Sequence, residues 1–434
     1  MTETQMSWSW VTEHGAVATG PPDELAVLGA KTSRTADVEK KWRQLVDDAG
    51  GVEAFLDLNF GDYGHGSIGT MAQGLFLHVR KVGWPFAWYL EDHPLFVGQE
   101  TSTRAVDLTR EGYARTAPDD KRLRRLHDEM LEAFAEEKAK LASEGGYRYD
   151  TIRYLLPGTI STAVTYVANV RVGMRHLYQM RHSLPETFQE PVNDLIAGMH
   201  ALAPRASKNA RYNPVPSMST WSWKTVHRTG PDLTNDDLEN VEVAVTPITR
   251  RVSVEDLPPR DPGRLTYLDP LWSRHRRFDL KIVCTVAAAR DWHRHRPAMP
   301  WTVRVLTGDW RDPKLQIRTP ASFDEGRAGT FCDLATEVFY DLRTPIQERL
   351  HALPFGALVE LTCEVDMRNL LYMLELRYRS GGANAEYKAQ ALAGLWQLNA
   401  HLSPEEREAA LPLAAVSDED KERADSAFST WGRG

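Results

Sequence analysis

Cysteine is scarce in this chain. Cys284, Cys332 and Cys363 are the only three in 434 residues, and none belongs to a Cys-x-x-Cys pair. That count and spacing exclude a disulfide framework and a cysteine-ligated zinc site. Long apolar runs are missing as well: no stretch reaches the roughly 18 apolar residues that a membrane span needs. The opening Met1-Thr-Glu-Thr-Gln5 has neither the basic nor the apolar part of a signal peptide. A cytoplasmic protein with no membrane partner is the expectation. The usual nucleotide and hydrolase signatures are also absent: no Gly-x-Gly-x-x-Gly fingerprint follows a strand, and there is no P-loop, no Gly-x-Ser-x-Gly elbow and no His-Glu-x-x-His run. No metal site is therefore expected. Excess positive charge is lacking too. A net charge of -8 argues against a nucleic-acid polymer as partner, although local arginine clusters can still hold individual phosphates.

What is present is an ordinary soluble composition, 42% hydrophobic and 26% charged, in a chain too long for a single core. One pattern occurs twice. Tyr154-Leu-Leu-Pro157 leads through a β-rich run to Asn169-Val-Arg171 and Met180-Arg181; Leu353-Pro354 leads through another to Asp366-Met-Arg368 and Leu376-Arg377. Two unequal copies of one domain are the starting reading. Prolines 204, 214, 216, 231, 247, 258, 259 and 262 crowd the stretch between them. This predicts a first domain over 1–205, a proline-rich connector over 206–264 and a second domain over 265–434.

The spacing predicts an amphipathic helix over 119–143, ended by Gly145-Gly146, and a mixed helical segment at Val38–Val46. Gly61-Asp-Tyr-Gly64-His-Gly66-Ser67 reads as a loop that can bring backbone close to a ligand. The β-branched run Ile160–Val167 reads as a strand that hands over to a helix near Asn169. Asp279–Ala287 and Leu358–Val365 read as strands, the second followed by a helix over Met367–Arg377 and a longer Ala- and Leu-rich helix beyond Glu386; the tail after Pro412 reads as loose.

Arg290 and the run Arg294-His295-Arg296 concentrate positive charge at the end of a strand-like segment. Guanidinium forks pair bidentately with phosphate, so this is a candidate phosphate site; a solvated basic turn is the competing reading. Arg274-His275-Arg276 looks similar but precedes the strand and has Arg277 beside it, which favours a structural charged face. Gln99-Glu-Thr-Ser102-Thr-Arg104 offers hydroxyls and one guanidinium, either for a phosphate or as a helix cap followed by an exposed arginine.

Taken together, these motifs resemble the flavin-dependent thymidylate synthases. In that family a hydrophobic run leads into Arg-His-Arg, then Ser-x-Arg; later come Leu-Pro, a strand, Asn-x-Arg and a helix carrying a further arginine. Ala289–Arg296 resembles the first part. Tyr154–Arg181 resembles the second, with one residue inserted before Arg175, and 353–386 resembles it again through Arg377, Ala383 and Glu386. Each copy departs differently. The first has Asp92-His93-Pro94 where Arg-His-Arg would stand but keeps Ser102-Thr-Arg104. The second keeps Arg294-His295-Arg296 but carries Thr302-Val-Arg304 two residues early, and Asp366 in place of the asparagine.

The resemblance implies an α+β fold in two tandem copies, FAD as cofactor, and one-carbon transfer from methylenetetrahydrofolate to C5 of dUMP, with NADPH reducing the flavin. It implies FAD contacts at Arg294, His295, Arg296, Asn169, Arg171 and Arg368, and nucleotide contacts at Gln99, Ser102, Arg104 and Arg290. Arg181 and Arg377 would steady charge on the pyrimidine. Family members are homotetramers, so a homodimer of the fused chain is expected, with complementary halves completing a site. Because neither half holds the whole motif, two outcomes stay open: an enzyme that has diverged toward another acceptor, or a catalytically degenerate nucleotide- or flavin-binding relative.

Overall fold

The computed structural model describes residues 7–10, 14–32, 35, 37, 40, 44, 51–56, 74–93, 97–103, 106–143, 152–204, 207, 223–227, 243–250, 270–295, 301–308, 313–320, 322–379 and 385–410. The Gly61–Ser67 loop, Arg104, Arg296, Ala383, the tail after Pro412 and nearly all of the Val38–Val46 segment lie outside them. The chain forms two compact units. The first comprises Met1–Tyr149, Leu156–Trp221 and Glu337–Leu353; the second comprises Asp150–Leu155, Ser222–Thr336 and Pro354–Gly434. Each unit therefore takes in a short stretch from the other half of the sequence, which a linear reading of domain boundaries does not reveal.

The first unit is built on an antiparallel sheet of β1 (Ser7–Trp10), β2 (Gly15–Thr19), β3 (Leu75–Gly83), β4 (Val97–Glu100) and β5 (Ser161–Ala168), in the order β1-β2-β3-β5-β4. Its described helices include α1 (Pro22–Thr32), α2 (Gly51–Leu56), α3 (Trp84–Glu91), α4 (Lys121–Ser143), α5 (Val170–Ser183) and α6 (Gln189–Leu202). β5 is buried along its whole length, which is why its sequence, rich in Val and Thr, carries no charged residue and does not alternate between apolar and charged. α4 confirms the amphipathic reading of 119–143. It buries Leu123, Leu126, Met130, Ala133 and Phe134, and Asp120 caps its start by accepting from the amides of Arg122 (2.8 Å) and Leu123 (3.2 Å).

The second unit's sheet holds β6 (Trp223–His227), β7 (Val243–Arg250), β8 (Arg276–Thr285), β9 (Thr302–Thr307) and β10 (Leu358–Asp366), in the order β6-β9-β10-β8-β7. β6 and β7 correct the expectation of a connector over 206–264. Their residues are strand formers between the proline clusters, and Pro247 is tolerated because it sits on an edge strand at a shift of register. The expected strand 279–287 also begins and ends earlier. Thr285 closes β8, and Val286 already belongs to α7 (Val286–His293). Then follow α8 (Glu325–Asp341, which passes into the first unit at Glu337), α9 (Ile346–Arg349, within the first unit), α10 (Met367–Arg379), α11 (Ala385–His401) and α12 (Pro404–Ala410).

Four strands of each sheet follow one plan: β2-β3-β5-β4 in the first and β7-β8-β10-β9 in the second, antiparallel throughout. In both, the second strand of that order runs straight into a buried helix, α3 or α7, and the third runs into the helix that carries the late arginine of the repeated pattern.

Candidate functional site

Three strand-to-helix junctions, one in the first unit and two in the second, carry candidate residues, and each is closed by a capping side chain. Asn169 Oδ1 accepts from the Val172 amide at 2.9 Å, Thr285 Oγ1 from the Ala288 amide at 3.2 Å, and Asp366 Oδ1 from the Asn369 amide at 3.0 Å. Asp366 and Asn169 do the same work in the two units: both accept a backbone N–H at a helix start, and Asp366 further accepts from Asn369 Nδ2 at 2.6 Å.

In the second unit, motifs far apart in sequence converge. Arg377, on α10, directs Nε at His295 Nε2 (2.8 Å) and at the Tyr387 hydroxyl (2.8 Å), and its guanidinium lies 5.0 Å from the centre of the Tyr387 ring. Because His295 Nε2 accepts this hydrogen bond, the ring is neutral with its proton on Nδ1. Tyr387 in turn donates to the Asp291 carbonyl at 3.1 Å and meets Trp292 edge-on, with centroids 4.3 Å apart. Burial raises the Tyr387 phenol well above its ordinary value, and Arg377 only partly counters this, so the hydroxyl stays a donor. One cation is thus oriented by a neutral imidazole, a phenol and an aromatic face.

Beneath this cluster lies a buried carboxylate. Glu386 is 2% exposed. It accepts from the Thr285 amide (2.9 Å), the Thr285 hydroxyl (2.7 Å), the Tyr154 hydroxyl (3.0 Å) and Gln390 Nε2 (3.3 Å), and it lies 3.5 Å from Arg318 Nη1. Gln390 passes the network on by accepting from Trp292 Nε1 at 2.7 Å. Burial, with the Glu386 charge adding to it, holds the Tyr154 phenol well above its ordinary range, so it too remains a donor. Burial likewise raises the thiols of Cys284 and Cys363, so neither is a thiolate nucleophile.

The other expected site residues are placed as follows. Arg290 is buried, with its guanidinium 4.7 Å from the centre of the Phe355 ring; Arg294 is half-buried at the C-terminal end of α7, and Arg368 is half-buried in the first turn of α10. Gln99 lies half-buried on β4 opposite Thr165, and Ser102 follows, its carbonyl accepting from the Val106 amide at 3.1 Å. Asn169, Arg171 and Arg181 are exposed in the first unit. Arg274-His275-Arg276 is structural, as its position suggested: buried His275 meets Glu406 at 2.5 Å and Arg276 Nε lies 3.0 Å from the same oxygen.

Arg181 differs from Arg377 for a geometric reason. Met180, fully buried, stands as far beyond the Asn169 cap as Arg377 stands beyond the Asp366 cap. The inserted residue turns Arg181 by about 100° around the helix, where it rests over the Tyr178 ring at 4.6 Å. His93, at the place of His295, packs against His176 with centroids 4.9 Å apart, and His176 Nε2 meets the carbonyls of Tyr89 (3.1 Å) and Leu90 (3.0 Å). The first unit therefore sets His176 beside His93 and buries Met180 at the position along the helix that corresponds to Arg377. Sequence reasoning missed Tyr387, Asp291, Gln390 and Arg318. Tyr387 was within reach as the neighbour of Glu386, but Arg318 lies in a segment without any motif.

No curated protein matches the chain. A family model, thymidylate synthase complementing protein, matches residues 17–193, a span that includes the Asn169–Arg181 junction and ends before the Arg377 cluster. Over those residues the chain carries a domain of the thymidylate synthase complementing protein family, the flavin-dependent thymidylate synthases.

Proposed function

We propose that the chain is a flavin-dependent enzyme that transfers a one-carbon unit from methylenetetrahydrofolate to C5 of a pyrimidine nucleotide such as dUMP. One observation carries this reading: Arg377 and His295, two parts of the resemblance that lie far apart in sequence, meet at 2.8 Å on a shared tyrosine. The donor set suits an anionic ligand. Arg294, Arg368 and Arg377 are all half-buried, and partial burial strengthens a guanidinium's hold on phosphate relative to full exposure.

Arg294, His295 and Arg368 would hold FAD, whose bound isoalloxazine supplies hydride chemistry. Arg377 then has a separate task. Its Nε is committed to His295 and Tyr387, which fixes the plane of the guanidinium and aims its two Nη nitrogens as a fork for a phosphate or a pyrimidine carbonyl. Charge developing on the ring as C5 becomes nucleophilic would be met by a cation that needs no reorganisation. Such a scheme requires no side-chain nucleophile, in keeping with the suppressed thiols of Cys284 and Cys363.

Equilibrium titration of the purified chain with FAD, followed by flavin absorbance and fluorescence, tests the reading. Saturable binding that weakens in Arg294→Ala is expected. A chain that does not bind FAD overturns the proposal.

A further inference from the structure

Residues 150–155 precede the Leu-Pro step of the first copy, yet they belong to the second unit. Two adjacent side chains of this stretch are almost wholly buried there, Arg153 at 2% and Tyr154 at 3% exposure. Arg153 Nη1 lies 3.4 Å from Asp291 Oδ2, and the Tyr154 hydroxyl donates to Glu386 Oε2 at 3.0 Å. The two residues so held both bear on Tyr387: Asp291 supplies the backbone carbonyl that accepts from the Tyr387 hydroxyl, and Glu386 precedes Tyr387 on α11. The stretch is itself fixed by its backbone, since the Tyr154 carbonyl accepts from the Gly356 amide at 3.0 Å. A Cβ at Gly356 would collide with the Arg318 carbonyl and lie 3.0 Å from that of Tyr154, so the approach requires glycine.

The matching stretch of the second copy does something different. His351 stands before Ala-Leu-Pro354 as Tyr154 stands before Leu-Leu-Pro157, and it is buried in the first unit, 3.5 Å from the Thr116 hydroxyl and with Nδ1 3.1 Å from the Glu348 carbonyl. No carboxylate side chain is its partner in these bonds. Of the two corresponding residues, the tyrosine is the one tied to the cluster around Arg377.

We propose that Arg153 and Tyr154 are positioning residues for the Arg377–His295 site: through Asp291 and Glu386 they fix Tyr387, and Tyr387 fixes the guanidinium. The active site of the second half is thereby completed by a segment of the first. This rests on the nucleotide-enzyme reading for its activity assay but not for its structural one.

The full chain with Tyr154→Phe, Arg153→Gln, Arg153→Lys and the control Tyr113→Phe, which loses a comparable bond to the Pro118 carbonyl (2.6 Å) outside this network, provides the test. Two readouts are taken: kcat and KM for label release from C5-deuterated dUMP with FAD and methylenetetrahydrofolate, and the ¹⁵N-histidine spectrum, with His295 assigned from His295→Gln. We expect kcat/KM to fall roughly tenfold in Tyr154→Phe and Arg153→Gln, to recover in Arg153→Lys, and to hold in Tyr113→Phe. The His295 resonances should shift in the first two variants only. Unmoved His295 resonances in both variants overturn the proposal. If the wild-type chain binds FAD but releases no label, the functional reading fails, and the histidine spectrum alone decides on positioning.

Discussion

Glu386 offers the sharpest perturbation of the second unit, because one carboxylate serves donors from four separate segments: Thr285, Tyr154, Gln390 and Arg318. Glu386→Ala would leave the Arg318 guanidinium, 11% exposed, without its counter-charge, and strand a buried backbone amide and two hydroxyls. Removing one partner of a buried ion pair costs about 3–5 kcal/mol. Glu386→Gln keeps the shape but turns an acceptor into a donor that faces other donors; losing charge-assisted bonds of this kind costs about 1.5–3 kcal/mol. Urea unfolding of the full chain, followed by tryptophan fluorescence, measures both, since Trp292 is bonded into the same network through Gln390. The stricter test is the double variant with Arg318→Met. If the two residues form one unit, the combined loss should fall short of the summed single losses by about 1 kcal/mol or more. Additivity of the pair, or a Glu386→Ala cost near that of an ordinary surface change, would refute the network.

Two other outcomes follow from buried groups. Burial pushes the His351 imidazole down to about 3, with the Glu348 carbonyl opposing weakly. The folded chain therefore refuses a proton that the unfolded chain accepts below about pH 6.5. Stability contributed by the neutral ring is complete above that pH and drains as pH falls toward the folded value, by on the order of 1 kcal/mol per pH unit. His351→Phe should flatten this part of the stability–pH curve, and an unchanged slope would contradict the assignment. Gly158→Ala would drive a Cβ against the Leu353 carbonyl, with the His351 carbonyl 2.7 Å away. A loss of roughly 1–3 kcal/mol or more is expected from thermal melts, against little change for Gly329→Ala, where a Cβ meets open space.

Local chemistry was the legible part of this sequence. The amphipathic α4, the β-branched β5 and the strand-to-helix step at Asn169 all follow from periodicity and capping, which act over a few residues. The convergence of His295 with Arg377 was foreshadowed only by the family pattern, because a contact between residues so distant in sequence leaves no periodic trace. Proline density misled over 206–264: prolines do not exclude strands, since β6 lies between them and β7 carries Pro247 on the sheet edge at a shift of register. Membership of 150–155 in the second unit was invisible. Nothing in Arg153-Tyr154 distinguishes a residue that completes its own half from one that completes the other. The one-residue insertion before Arg175 was visible, and helix geometry turns it into the outward placement of Arg181.

The central claim is that Arg377 is the oriented cation of a nucleotide-binding flavoenzyme. Its most direct measurement is label release from C5-deuterated dUMP by the FAD-loaded, reduced chain, wild type against Arg377→Ala. The account predicts release by the wild type and a fall of about a hundredfold or more in the variant, with FAD binding retained. Equal rates in the two proteins would contradict it.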